Sequence, residues 1–184
     1  MKIIRDVLAA DEHIRDALES KKRIIAPTSL HPFLASIRAA ERPLLIVTSS
    51  SRSSEDLVND LRELHDDVFE FPAWETLPHE RLSPRSDTVA QRISTLIKLK
   101  ENKAHNPIVV TPVRGLIHRI INSLAQAPVR ELIVGAQCDL KELINHLGEL
   151  AYQRTDLVER RGEFAVRGGI VDVFLPLANQ PVRI

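Results

Sequence analysis

Hydrophobic residues form two kinds of pattern in the first two thirds of the chain. Short continuous apolar runs predict strands at residues 23–26, 44–47, 68–71 and 107–111. Apolar residues at helical spacing predict helices at residues 2–20, from 28 or 29 onward, 54–65, 88–99 and 113–124. Strands that alternate with helices at short intervals are typical of a parallel α/β sheet. We expect strand 44–47 to be covered on both faces, and Thr28 or Ser29 to cap the helix that follows.

The pattern changes near residue 128. A short strand-like run at 131–134 precedes an amphipathic helix at 140–150, and two further strands at 163–167 and 170–174 flank Gly168 and Gly169. A Gly-Gly pair between two such strands indicates a hairpin or a bulge. The sequence therefore predicts two units, 1–127 with an N-terminal helix and 128–184 of α+β type. Because a last strand begins near Pro181, we expect the chain to be a piece of a longer protein.

Charge and composition narrow the class of function. The 184 residues carry 25 basic and 25 acidic side chains, and this balance disfavours a nucleic-acid binder that depends on bulk positive charge. Cys138 is the only cysteine, so a disulfide framework and a multi-cysteine zinc site are excluded. The N-terminus lacks the apolar core of a signal peptide, and no run is long enough to span a membrane. We expect a soluble, cytoplasmic protein with no membrane partner.

The residues disfavour nucleotide and metal chemistry. A phosphate-binding loop needs glycines and a lysine, whereas residues 26–33 contain neither and include Pro27 and Pro32, which have no amide proton to donate. The hydroxyl-rich loop at 48–54 follows a strand where ligands often bind, but such loops also simply begin helices. The histidines are scattered without metal-ligand spacing.

The C-terminal part suggests a binding surface. After residue 151 the chain has arginines but no lysine, and aromatic residues lie among them. The arginines are Arg154, Arg160, Arg161, Arg167 and Arg183, and the aromatic residues are Tyr152, Phe164 and Phe174. Arginine forks suit carboxylate or phosphate recognition and are frequent at interface hot spots. The residues alone favour equally a surface for protein or nucleic acid and a solvated sheet face with its aromatics in the core.

Three segments resemble one family, the bacterial transcription-repair coupling factors. They are FPAWETLPHERLSP at 71–84, RISTL at 92–96 and GEFAVRGGIVDVF at 162–174. A string related to the third occurs in the excinuclease subunit UvrB, but the Trp-Glu-Thr-Leu-Pro segment favours the coupling factors. The resemblance runs from about residue 20 to the end of the chain.

The resemblance implies an architecture and a function. Members of this family use an ATP-powered motor on double-stranded DNA to displace stalled RNA polymerase, and they recruit UvrA. The chain resembles their N-terminal UvrB-homology region, in which a degenerate RecA-like (P-loop NTPase-like) parallel sheet carries a smaller α+β UvrB-like subdomain. This implies a non-catalytic module without cofactor, with ATP and Mg²⁺ bound in motor domains elsewhere. It also implies intramolecular contacts with C-terminal domains that contribute to autoinhibition.

The resemblance also implies site residues. UvrA would dock on Arg154, Arg167, Phe174 and Arg183, of which Arg167 and Phe174 lie within the matched string. RNA polymerase and DNA would bind through regions beyond this chain. The alternatives are a divergent nucleotide-binding or nucleotide-hydrolysing domain, which would use the loops at 28–33 or 48–54, and a direct DNA-binding domain.

Overall fold

The computed structural model describes residues 2–20, 23–76, 84–101, 104–118, 120, 131–150 and 152–184. In chain order its elements are α1 (Lys2–Ala10), α2 (Glu12–Glu19), a 3₁₀ turn (Thr28–Leu30), α3 (His31–Ala39), β1 (Leu44–Thr48), α4 (Ser51–Arg62), β2 (Val68–Glu70), α5 (Ser86–Glu101), β3 (Ile108–Pro112), α6 (Val113–Ile117), α7 (Leu140–Glu149), β4 (Gln153–Arg154), β5 (Glu163–Arg167), β6 (Ile170–Val173) and β7 (Val182–Arg183).

The first sheet is parallel, with strand order β1-β3-β2. Helix α4 contacts all three strands and presents Val58 and Leu61, both fully buried, to Ile108 and Val110 of the central strand. Helix α3 adds Ala39 to the same core. The predicted parallel α/β sheet is confirmed, and its core forms where the apolar stripe of α4 meets the middle strand.

Strand β1 differs from the prediction that both of its faces are covered. Leu44 and Ile46 pack against the core, whereas Leu45 is 58% exposed and Val47 is 44% exposed. β1 pairs with β3 along one edge and with no strand along the other, so it is an edge strand of the sheet that the described residues form. A continuous apolar run indicates a strand but does not show whether a second layer covers it.

The N-terminal region is two helices rather than the single helix predicted for residues 2–20. Asp11 lies between α1 and α2, and its carboxylate accepts hydrogen bonds from the backbone N–H groups of His13 at 2.9 Å and Ile14 at 3.2 Å. This N-cap satisfies two amides that a new helix would leave without partners, so a second helix begins at Glu12.

Two predictions that precede β1 are wrong. Residues 23–26 are not a strand, and Ile25 is 86% exposed rather than buried. No hydroxyl of Thr28 or Ser29 caps the following helix. The helix begins instead through a 3₁₀ turn, and Pro32 occupies one of its first positions, where a missing amide proton costs nothing.

The second sheet has the order β4-β5-β6-β7, with β4 parallel to β5 and the other pairs antiparallel. Helix α7 covers one face, where Leu143 and Leu147 pack against Phe164, Val171 and Val173. The predicted helix at 140–150, the hairpin around Gly168 and the strand after Pro181 are confirmed.

The segment between the two sheets departs from the predictions. Residues 131–134 are not a strand, because Gly135 with φ +86° turns the chain and the Ala136 amide donates to the Ile133 carbonyl at 3.0 Å. Helix α6 ends at Ile117, and residues 119 and 121–124 of the helix predicted for 113–124 lie outside the described residues. The predicted boundary at 127/128 lies outside the described residues, as does the part of the Trp-Glu-Thr-Leu-Pro segment from 77 to 83.

Across the ranges that the structure describes, no helix combines the length and apolar character that crossing a lipid bilayer requires.

The buried stripe of α4 gives a direct test of the first core. Leu61→Ala should lower the free energy of unfolding by about 2–5 kcal/mol, because Leu61 is fully buried and its truncation leaves a cavity. Leu45→Ala, which removes the same atoms from a side chain that is 58% exposed, should change it by less than about 1 kcal/mol. Urea unfolding followed by circular dichroism compares the two, and equal losses would contradict this core.

Candidate functional site

The pairing of β5 with β6 determines which predicted site residues share a surface. Phe164, Val171 and Val173 face α7, so residues 163, 165, 167, 170 and 172, which alternate with them, face away from it. We call the side away from α7 the outer face of the second sheet. Arg167 lies on this face. Phe174 is one residue beyond the end of β6, and it follows the alternation of Ile170 and Asp172 onto the same face. Arg183 joins them, because it lies opposite Asp172.

Arg154 is the exception among the four predicted site residues. It pairs in register with Phe164 on the parallel neighbour strand, and register partners point to the same side of a sheet. Arg154 therefore lies at the edge of the face that carries α7, and the structure does not bring it together with the other three.

Arg183 forms a two-point ion pair with Asp172 across β6 and β7. Its Nε donates to Asp172 Oδ1 at 2.6 Å, and its Nη2 donates to Oδ2 at 2.9 Å. The hydrogen bonds from Arg183 lower the pKa of Asp172, and the same pair raises the pKa of Arg183. Two of the three guanidinium nitrogens of Arg183 are thus already engaged, and this ion pair holds β7 against β6.

Arg167 and Phe174 remain available on the outer face. Arg167 is exposed and uses Nη2 to donate to the Asp156 carbonyl at 2.7 Å, which fixes the guanidinium. Among the residues that the structure describes, its other donors have no hydrogen-bond acceptor. Phe174 is half-buried, and the Arg161 guanidinium carbon lies 5.9 Å from the centre of its ring. Arg161 and Phe174 thus place positive charge beside an aromatic ring, while Arg167 lies at the other end of the hairpin.

Arg161 is a member of this surface that was not among the predicted site residues. Its Nε donates to the Ala178 carbonyl at 2.9 Å, which holds it beside Phe174. It is one of the C-terminal arginines of the sequence, but it lies just before the start of β5. Only the fold shows that this position and Phe174 are neighbours.

Glu163 shapes the segment that carries Arg161. Its Oε2 accepts hydrogen bonds from the amides of Glu159 at 2.9 Å and Arg160 at 2.8 Å, and these two bonds lower its pKa. The carboxylate therefore folds the approach to β5 into a fixed turn.

A cavity of about 470 Å³ lies at the carboxyl ends of β1, β2 and β3, where parallel sheets commonly bind ligands. Its lining includes four carboxylates, those of Glu55, Glu70, Glu75 and Asp87. Burial raises the pKa of Glu70, and the charge of Glu55 raises it further, while Arg62 opposes the shift. Arg85 and Arg161 also line the cavity, and Arg85 is paired with Asp87. The four carboxylates outnumber these two arginines, whereas a phosphate site requires converging donors and an excess of positive charge.

Several hydroxyl groups of the loop at 48–54, beside this cavity, are engaged in hydrogen bonds at the start of helix α4. The Ser50 side chain accepts a hydrogen bond from the Ser53 amide at 3.1 Å and caps α4, and the hydroxyls of Thr48 and Ser54 lie 2.6 Å apart. Within the described residues, no three histidine, cysteine, aspartate or glutamate side chains are grouped to hold a metal ion.

Arg92 connects two of the sequence segments described above, 71–84 and 92–96. Its side chain is fully buried on α5, and its Nη1 donates to the Pro72 carbonyl at 2.5 Å. The guanidinium carbon lies 4.0 Å from the ring centre of Phe71 and 4.3 Å from that of Trp74. Thr95, three residues later, donates to the Glu70 carbonyl at 2.7 Å. The Arg-Ile-Ser-Thr segment thus anchors the start of the Trp-Glu-Thr-Leu-Pro segment.

Comparisons with known proteins match these features to one family. The family model described as the UvrB interaction domain matches residues 131–184, from the turn before α7 through β7. The transcription-repair-coupling factor of Mycobacterium tuberculosis is 44% identical over 167 residues, which are 88% of this chain. The chain belongs to the transcription-repair-coupling factor family.

Other transcription-repair-coupling factors match over similar lengths. Identity is 35% over 82% of the chain for the Myxococcus xanthus protein and 27% over the whole chain for the Staphylococcus aureus USA300 protein. The chain spans about 14% of the length of the mycobacterial relatives and 13–16% of the length of these two. The resemblance inferred from the three motifs is confirmed, and the outer face lies inside the part matched by the UvrB interaction domain.

The stacking of Arg92 on Phe71 and Trp74 predicts how much this side chain stabilises the part of the chain that forms the parallel sheet. Arg92→Ala should lower the free energy of unfolding by about 3 kcal/mol, because it removes a fully buried side chain together with its hydrogen bond and ring contacts. It should also shift the fluorescence of Trp74, the only tryptophan. Arg85→Ala, which breaks an exposed ion pair with Asp87, is the control and should cost less than about 1 kcal/mol. An unchanged Trp74 spectrum would contradict the stack.

The Asp172–Arg183 pair predicts a pH dependence. Because the folded-state pKa of Asp172 is lowered, the carboxylate stabilises the fold above its unfolded value of 3.8, and this stabilisation is lost as the pH falls through the folded value. The protein should therefore be more stable than Asp172→Asn at pH 7, and the difference should shrink below about pH 4. Thermal unfolding at both pH values measures it, and a difference independent of pH would exclude the ion pair.

Proposed function

We propose that this chain is a non-catalytic docking module that binds UvrA through the outer face of its second sheet. The observation that carries the proposal is the joint placement of Arg167, Phe174 and Arg183 on one face, inside the segment matched by the UvrB interaction domain. UvrB and the coupling factors would share a partner through a shared surface, and that partner would be UvrA.

The chemistry of the outer face suits an acidic partner surface. Arg167 and Phe174 lie on the same face at opposite ends of the β5–β6 hairpin, and the guanidinium of Arg161 lies beside the Phe174 ring. Arginine and aromatic anchors of this kind dominate the binding energy of many interfaces, because the ring is desolvated while the fork pairs with carboxylates. We assign Arg183 mainly to holding β7 in place, and we place Arg154 at the margin.

The first unit would serve as a scaffold that resembles a RecA-like sheet without a nucleotide site. We propose units 1–127 and 128–184, in a cytoplasmic protein. The acid-lined cavity at the ends of β1, β2 and β3 supports the loss of nucleotide binding, as does the absence of glycine and lysine from residues 26–33. ATP hydrolysis with Mg²⁺, DNA translocation and RNA polymerase binding would belong to other regions of the full-length relatives. Contacts with those regions would contribute to autoinhibition.

Neither alternative function is supported by a particular feature. A nucleotide hydrolase would need an excess of positive charge in this cavity, whereas four carboxylates and two arginines line it. A DNA-binding domain would need excess positive charge, whereas the net charge is zero.

Substitutions on the outer face test the docking proposal. Arg167→Ala and Phe174→Ala should each weaken UvrA binding by about 1–3 kcal/mol, or about 5- to 150-fold in Kd, because each removes a central contact. Arg52→Ala, which removes an exposed arginine from α4 in the first unit, is the matched control and should leave Kd unchanged. Isothermal titration calorimetry with purified UvrA measures all three.

A folding control accompanies the Phe174 variant, because this side chain is half-buried. Its circular dichroism melt must show a folded protein at the titration temperature. Wild-type affinity in both Arg167→Ala and folded Phe174→Ala would overturn the placement of the docking surface, and a wild-type chain that does not bind UvrA would overturn the proposed function.

A further inference from the structure

We propose that the N-terminus of α5 is a seat for the second sheet, formed by contact between Ser86 and Gly162, and that this seat sets the orientation of the outer face. The proposal deepens the proposed function, on which its binding part rests, because it identifies what positions the UvrA-docking surface relative to the parallel sheet. Ser86 and Gly162 would be positioning residues and would not contact UvrA.

The first observation is how closely the two chains approach each other. A Cβ atom added to Gly162 would lie 2.8 Å from Ser86 Oγ and 3.1 Å from Ser86 Cβ. Rotation of the serine side chain would relieve the first contact but not the second, because Cβ is fixed to the helix backbone. The Ser86 hydroxyl also donates to the Arg161 carbonyl at 3.4 Å. Any larger residue at position 162 would therefore require Ser86, and with it the start of α5, to shift.

The second observation is that Gly162 is held within the second sheet. Its amide donates to the Phe174 carbonyl at 2.7 Å, and its carbonyl accepts from the Gln153 amide at 2.9 Å. It therefore connects the strand segments on both sides of β5, and one of its two partners is the aromatic residue of the docking surface. A displacement of Gly162 away from α5 would be transmitted directly to Phe174.

The third observation is that a second contact region lies beside the seat. Arg161, Pro176 and Leu177 of the second unit line the same cavity as Thr88 and Gln91 of α5. The two units thus face each other across this cavity, and Ser86 and Gly162 are sequence neighbours of its lining residues Arg85, Asp87 and Arg161. The Arg161 side chain lies between the cavity and Phe174.

Gly162 and Gly135 form a matched pair that distinguishes the effect of this contact from the effect of backbone strain. Gly162 has φ +83° and Gly135 has φ +86°, so alanine at either position meets the same unfavourable left-handed conformation. An added Cβ at Gly135 meets nothing within 4 Å, whereas at Gly162 it meets Ser86. Any excess effect of Gly162→Ala over Gly135→Ala reports the seat.

Thermal unfolding of the 184-residue chain without UvrA tests the contact. We expect Gly162→Ala to lower Tm at least about 4 °C further than Gly135→Ala does. Ser86→Gly, which removes both contacting atoms, should restore most of the excess when combined with Gly162→Ala. In the Gly135→Ala background it should shift Tm by no more than it does in the wild type, where it removes the hydrogen bond to Arg161 and lowers helix propensity. Equal Tm values for the two alanine variants, or no restoration by Ser86→Gly, would overturn the seat.

A variant on the helix side keeps the test valid if Gly162→Ala does not fold. Ser86→Val adds bulk at the same contact without changing the backbone of the second unit. It should lower Tm more than Ser86→Ala, which removes the same hydroxyl without adding bulk. Equal Tm values for Ser86→Val and Ser86→Ala would count against the seat.

Calorimetry with UvrA then tests whether the seat orients the docking surface. At a temperature where all variants are folded, Gly162→Ala should weaken UvrA binding at least about 5-fold relative to Gly135→Ala, and Ser86→Gly should restore it. Unchanged Kd with a clear Tm coupling would overturn the orienting role and keep the contact. Absence of UvrA binding by the wild-type chain would overturn the proposed function, and the Tm coupling alone would then decide the contact.

Discussion

The alternation of side chains along β5 and β6 is the constraint on which the candidate site depends. Burial of Phe164, Val171 and Val173 against α7 fixes the register of the hairpin. A slip by one residue would turn these apolar side chains to solvent and bury Arg167, so the same packing that stabilises the unit also presents its charged residues. The docking surface is therefore a consequence of the core beneath it.

The local sequence predicted the elements whose patterns are self-contained. The apolar run before Thr48, the helix of α7 and the hairpin at Gly168 follow from propensity and turn chemistry, and the structure confirms them. The failures are places where a partner decides the outcome. Residues 23–26 look like a strand but have no pairing strand within the described ranges, and β1 is an edge strand with one exposed face.

The candidate site could be predicted only in part, for a related reason. The arginines near the end of the chain are visible in the sequence, but the face on which each lies depends on register. Arg154 is separated from the others by its pairing with Phe164, and Arg183 is largely engaged by Asp172. Arg161 and the Ser86–Gly162 contact depend on tertiary proximity between distant segments, which composition and spacing do not encode.

A hydrogen–deuterium exchange footprint of the chain with and without saturating UvrA would locate the docking surface. If UvrA binds the outer face, exchange should slow in the turn at 167–170 and in the segment at 155–162 that leads to β5, while the amides of α4 remain unchanged. Protection confined to the parallel-sheet unit, or no protection anywhere, would contradict binding at the outer face.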